Sequence, residues 1–259
     1  MQPENFGILI LGHGSPEASD KQEFLQLLSL VRKRLERTET AVAAIEAGFL
    51  EFGSPTIPEA LAALVDRGVR RVAAVPVFLA AAGHTTRDLP PALSEAARSF
   101  PHVQIELKPH VGSHENLAVL SALRCRQALE GLPAVGASET LLLLAAHGSP
   151  EPEAFTEWEK FARKREKYTP EIRVETCFAV LGRPQIADIL PPLLVQPFRR
   201  IIVQLHFLLR SRLYKTVCES IEPFRKKYPR PEWIVAQPLG IHPLLAEAVV
   251  DLAMNVGED

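Results

Sequence analysis

The pentapeptide His-Gly-Ser-Pro-Glu occurs at residues 13–17 and again at 147–151, each time directly after a short apolar run, ILILG or LLLLAA. A repeat of this kind constrains the fold more than any bulk property, because it implies one supersecondary plan written twice. The rest of the chain agrees. In the first half the strand-like runs are FGILILG, AVAAIEAGF, RRVAAVPVFLA and HVQIELKP; in the second they are TLLLLAA, RVETCFAV, RRIIVQLHFLL and EWIVAQPL. Longer amphipathic segments separate them, at 17–37, 55–67, 85–99 and 114–129, then at 151–167, 184–196, 212–227 and 243–254. Short apolar strands alternating with helices predict βαβ units and parallel sheets.

From the second strand to the third the two halves align at one offset: Phe49 and Pro55 match Phe178 and Pro184, and RRVAAVPVFL matches RRIIVQLHFL. The small-residue stretch GLPAVGAS between them reads as a joint. The expectation is an α/β protein of two tandem doubly wound parallel-sheet domains, 1–132 and 133–259, with an active-site cleft between them. Each is of ordinary domain size.

Composition excludes several classes. A net charge of −2 gives no global field for nucleic acid or a membrane surface. The three cysteines, Cys125, Cys177 and Cys218, form no CxxC pair, which argues against a cysteine-held zinc or iron–sulfur centre and suits a reducing compartment. No long apolar stretch suggests a leader or a membrane span. The expectation is a cytoplasmic protein that binds neither nucleic acid nor membrane.

Sites in such sheets form at the carboxyl ends of the strands. His13 follows the first strand, Glu46 and Glu51 lie in or past the second, and His84 follows the third, so His13, Glu51 and His84 can converge on one rim. Two imidazoles and a carboxylate suit cobalt, ferrous iron, nickel or zinc. Each residue also has a plain structural reading. HGS can be a tight turn, with Gly14 supplying an unusual backbone angle and Ser15 a helix cap. GHTTRDLPP can be a helix start capped by Thr85 or Thr86, and Glu51 a solvated charge. For His114 and His242, each just ahead of a helix, the structural reading is preferred.

ILILGHGSPE, EAGFLEFGSPTIPEAL and GVRRVAAVPVFLAAAGHTTRDLP together resemble the sirohydrochlorin chelatases of the CbiX/SirB type, in their long two-domain form. The resemblance implies a chelatase-like fold and insertion of cobalt or ferrous iron into sirohydrochlorin, toward cobalamin or siroheme; related members insert nickel. It implies metal binding by His13 and His84, with Glu51 as ligand or proton acceptor. The metal is then a substrate, with no tightly bound cofactor, and the partners are sirohydrochlorin and a divalent ion. The chain is expected to be a monomer, with a dimer as the alternative. Pro16 departs from the family, where many members carry arginine.

In the second half His147 persists, but Glu51 aligns with Val180 and His84 with Leu213, while Arg210, Arg212 and Lys215 appear nearby. The second half is therefore expected to hold substrate carboxylates rather than metal, with Ser15, Arg87, His147, His206, Arg210 and Arg212 as substrate contacts. A solvated basic helix start is the plain alternative for the arginines. His206, aligned with Val77, is open between a cleft-facing base and a buried structural histidine. Two other functions stand beside the chelatase: a non-catalytic metal or tetrapyrrole carrier, and phosphoryl transfer through a histidine. The second lacks its expected arginine, since Gly12 and Ala146 precede the histidines.

Overall fold

The structure is a computed structural model and describes residues 5–15, 18–37, 41–80, 87–210 and 212–255, with the side chains of 18–21, 212 and 213 left out. It contains two four-stranded sheets, and every strand pairing in them is parallel. The first has β1 (Phe6–Gly12), β2 (Ala44–Phe49), β3 (Arg71–Pro76) and β4 (Gln104–Leu107) in the order β2-β1-β3-β4. The second has β5 (Thr140–Ala146), β6 (Arg173–Phe178), β7 (Arg200–His206) and β8 (Glu232–Val235) in the equivalent order β6-β5-β7-β8. The two expected parallel-sheet α/β modules are present.

In each sheet the chain leaves the central strand to one side, then returns to pair on the other. The switch point of the first sheet thus lies between β1 and β3, and that of the second between β5 and β7. The central strands are apolar throughout because helices cover both faces: Ile8, Leu9, Ile10 and Leu11 are all fully buried. Leu9 and Leu11 pack with α2 (Ile57–Asp66) and α3 (Leu89–Ala97) through Leu61, Leu64, Leu89 and Leu93. In the second sheet Leu141, Leu143 and Ala145 meet α6 (Ile186–Leu193) and α7 (Arg212–Lys227).

The compact units do not follow the sequence repeat. Unit 1 runs to Leu117 and resumes at Ile241; unit 2 is Ala118–Gly240. Unit 1 therefore includes α1 (Ala18–Arg37) and the last helix, α8 (Pro243–Met254), joined by an Arg34–Glu247 ion pair at 3.5 Å. The helix that ends the first repeat, α4 (Glu115–Leu129), contributes all but its first turn to unit 2. There Cys125 packs with Leu142, Ile202 and Ala236, and Arg124 donates twice to the Leu239 carbonyl, at 2.9 and 2.6 Å. A division after residue 132 describes the repeat; the packed bodies divide at 117/118 and 240/241.

Unit 2 also carries a polar interior where unit 1 is apolar. Arg165 and Thr169 of α5 (Pro152–Glu166) and the turn after it take the repeat positions of Val31 and Leu35; Gln204 and His206 take those of Val75 and Val77. Arg165 is fully buried and donates to Ser121 Oγ at 2.9 Å and Thr169 Oγ1 at 2.8 Å, while Gln204 donates to the Ser121 carbonyl at 2.7 Å. These bonds tie α4 and α5 to β7 inside one unit. No helix among the described residues is long and apolar enough to cross a membrane.

Candidate active site

His13 is the first residue after β1, and its backbone is fixed by the exit of β2. Leu50 N–H donates to the Gly12 carbonyl at 2.9 Å and Glu51 N–H to the His13 carbonyl at 2.8 Å, so the ladder continues past the ends of both strands. Gly14, at φ 91°, then turns the chain; a side-chain carbon there would run into the Glu51 carbonyl oxygen. Only glycine meets both demands. HGS is thus a tight turn, and the same turn sets His13 beside Glu51. His13 is half-buried and Glu51 exposed.

Glu46, inside β2, is paired with Arg67 rather than facing the rim. On the other side, Val77 N–H donates to the Leu11 carbonyl at 2.8 Å, so the exit of β3 runs alongside that of β1. His13 sits between the exits of β2 and β3, at the switch point. The segment that leaves β3 is gripped by the turn after β4: Gly112 N–H donates to the Phe78 carbonyl at 3.0 Å, and His110 Nδ1 lies 3.2 Å from the same oxygen. His84, with Thr85 and Thr86, lies outside the described residues. Among the described residues no three His, Cys, Asp or Glu side chains are grouped to hold a metal ion. Ser15 is half-buried in the turn, and Arg87 is exposed just ahead of α3.

Phe52, which sequence reasoning passed over, completes this rim. It is 68% exposed, has φ 47°, and its ring stacks on the His13 imidazole with centroids 6.4 Å apart and planes 9° from parallel. It is the one non-glycine residue with positive φ among those described. Such a backbone costs a bulky residue about 1–2 kcal/mol. No spacing or composition signal announces a dihedral angle or the exposure of a single aromatic.

The second copy keeps the backbone and drops the acid. Gly148 has φ 88° and is blocked by the Leu181 carbonyl as Gly14 is by that of Glu51; Val180 N–H donates to the His147 carbonyl at 3.1 Å. Ser149 Oγ accepts from Glu151 N–H at 3.2 Å, closing the turn. Leu181 N–H also donates to the His147 carbonyl, at 3.1 Å, so two apolar residues, Val180 and Leu181, share the place that Glu51 has in the first copy. His147 is exposed, and its Nδ1 lies 2.8 Å from the Gly148 carbonyl; a carbonyl only accepts, so Nδ1 is the donor in this contact. Arg210 is exposed before α7; Arg212 opens that helix, but its side chain is outside the described set.

His206 is not at the rim. It ends β7 with 6% exposure, its ring against those of Trp158 and Phe161 at 5.2 and 4.1 Å, and neither ring nitrogen has a hydrogen-bond partner among the described residues. Burial pushes its pKa down to about 3, which keeps it neutral. The expected substrate contact at His206 thus has no accessible nitrogen, because its alternation along β7 turns it under α5. His114 and His242 are helix caps, each accepting from the N–H two residues on, at 3.2 Å.

Fold and rim define a class: a doubly wound parallel module present twice, with a histidine turn at each switch point and a carboxylate beside it in one copy only. The CbiX family model matches residues 7–128 and 141–255, and the chain belongs to that family. It is 27% identical over 240 residues to a sirohydrochlorin cobaltochelatase of Priestia megaterium, covering 92% of this chain and 76% of the relative. It is 23% identical over 239 residues to a sirohydrochlorin ferrochelatase of the same organism, covering 92% and 86%. The fold is shared with SirB from Bacillus subtilis with Fe3+, at a TM-score of 0.83 and 22% identity over 96% of this chain and 94% of that one.

Proposed function

We propose that this protein is a sirohydrochlorin chelatase, inserting cobalt(II) or iron(II) into sirohydrochlorin in cobalamin or siroheme synthesis. The observation that carries the reading is the pairing of His13 and Glu51 across the β1 and β2 exits at the switch point, in a chain of the CbiX family. Insertion of a divalent ion into the macrocycle displaces two pyrrole N–H protons, which leave as the four nitrogens bind the metal. His13 and His84 hold the incoming ion through neutral imidazole nitrogens. Glu51, exposed and on the same turn, accepts a released proton or assists as a ligand. General-base help of this kind contributes about 10²–10⁴-fold.

The second copy has Val180 and Leu181 in place of Glu51, so its turn has no acid to pair with His147. Its role is to support substrate, with Arg210, Arg212 and His147 assigned to carboxylates that fringe the macrocycle; in the first copy Ser15 and Arg87 are assigned the same kind of contact. The test is spectroscopic. Purified protein is mixed with sirohydrochlorin and cobalt(II), iron(II) or nickel(II) in turn, and the macrocycle absorption is followed. The expected result is acceleration that His13→Ala and His84→Ala abolish and His147→Ala largely preserves. Arg210→Ala combined with Arg212→Ala is expected to raise the KM for sirohydrochlorin. No acceleration with any metal overturns the assignment; tight metal binding without insertion would mark a carrier.

A further inference from the structure

Phe52 is costly to the fold on two counts. A large aromatic side chain faces water, and its backbone sits in the left-handed region that glycine favours. Folding does not demand the backbone angle. At the equivalent place in unit 2 stands Leu181, also exposed, followed by Gly182, and there the positive φ of 92° falls on the glycine. The Phe52 loop is nevertheless firmly tethered, with Phe49 N–H donating to the Pro55 carbonyl at 3.0 Å and Glu51 N–H to that of His13 at 2.8 Å. The chain thus holds an exposed ring next to Glu51 and nearly parallel to the His13 imidazole. Strain retained at one exposed position beside a candidate site points to use of that side chain.

We infer that Phe52 is a substrate-contact residue, an aromatic platform on which the flat, conjugated face of a tetrapyrrole rests beside His13. This rests on the function proposed above. Cations and N–H donors can engage the carboxylate fringe of such a macrocycle, but its face is apolar and stacks on aromatic rings. A platform aligned with the His13 imidazole sets the plane of the macrocycle relative to a metal carried on that residue. Phe52 therefore governs macrocycle affinity and leaves metal affinity alone.

Phe52→Gly tests this, because glycine takes up φ 47° freely and the loop keeps its backbone. Phe52→Trp restores an aromatic face. Sirohydrochlorin binding without metal is read from its fluorescence, cobalt(II) binding from calorimetry without macrocycle, and turnover from absorption. The expected result for Phe52→Gly is a Kd and a KM for sirohydrochlorin raised about five- to tenfold, as loss of an aromatic stack implies. Its cobalt(II) affinity and melting temperature should not fall, and Phe52→Trp should recover tight binding. Unchanged Kd and KM, or a parallel loss of cobalt(II) affinity, overturns the platform while leaving the chelatase in place. Phe52-dependent binding by a wild-type protein that inserts no metal overturns the chelatase and keeps the platform. No sirohydrochlorin binding at all overturns both.

Discussion

His206 ends β7 with both ring nitrogens buried between α5 and the sheet, at the repeat position that is Val77 in unit 1. Its folded pKa of about 3 lies below the ordinary 6.5, so between those values the unfolded chain takes up a proton that the folded chain refuses. The contribution to stability is therefore complete above about pH 6.5, declines by about 1.4 kcal/mol per pH unit on acidification, and levels off below about pH 3. At pH 5 the loss from this residue is about 2 kcal/mol. Urea unfolding of wild type and His206→Phe at pH 7.5 and pH 5 isolates it: the variant should lose less stability on acidification, by about that amount, and equal losses in the two proteins would refute the assignment. The sequence showed that a histidine replaces a valine; whether it faced a cleft or a helix depended on what covers that side of β7. Glu51 is the opposite case, since the loss of the acid from the second copy could be read directly from the alignment, where Val180 and Leu181 follow the strand instead.

The elements themselves were largely legible. The helix α2 starts where Thr56 precedes an Ile-Pro-Glu run, and the structure shows a full capping box: Thr56 Oγ1 accepts from Glu59 N–H at 3.5 Å, and the Glu59 carboxylate accepts from Thr56 N–H at 2.7 Å. In α6 the reciprocal pair is Gln185 and Asp188, with Asp188 accepting from Gln185 N–H at 2.8 Å. Thr56→Ala should lower unfolding free energy by about 1 kcal/mol in denaturant titrations, and Thr56→Ser by much less; equal losses would show the hydroxyl does not act as a cap. Boundaries shifted where proline intervened. The segment 184–196 was expected to be helical, but α6 spans only Ile186–Leu193, because Pro191 and Pro192 remove two N–H donors from so short a helix. For α3, residues 87 and 88 already form a helical turn leading into Leu89–Ala97, and the expected start at residues 85 and 86 lies outside the described residues.

At the scale of the whole molecule, the repeat and the packed units part at the last helix of each half. Unit 1 includes α8, whose Leu245, Ala248, Val249 and Leu252 are buried, and Lys108 donates to the Asn255 carbonyl at 2.7 Å. A fragment of residues 1–132 lacks that helix and leaves its apolar contacts open. Such a fragment is expected not to form a stable monomer; a monomer by sedimentation with native-like near-ultraviolet circular dichroism would contradict this. Adding residues 241–259 should restore structure.

The sequence by itself determined the parallel alternation, the duplication, the histidine turns and the loss of the acid from the second copy. All of these are patterns of neighbouring residues, or of two segments compared at a fixed offset. Tertiary structure alone decided which helix closes which sheet, that His206 is buried, and that Phe52 stands strained and exposed beside His13. Each of those depends on contacts between residues far apart in the chain, or on a backbone dihedral, and neither is recorded in the periodicity of apolar residues.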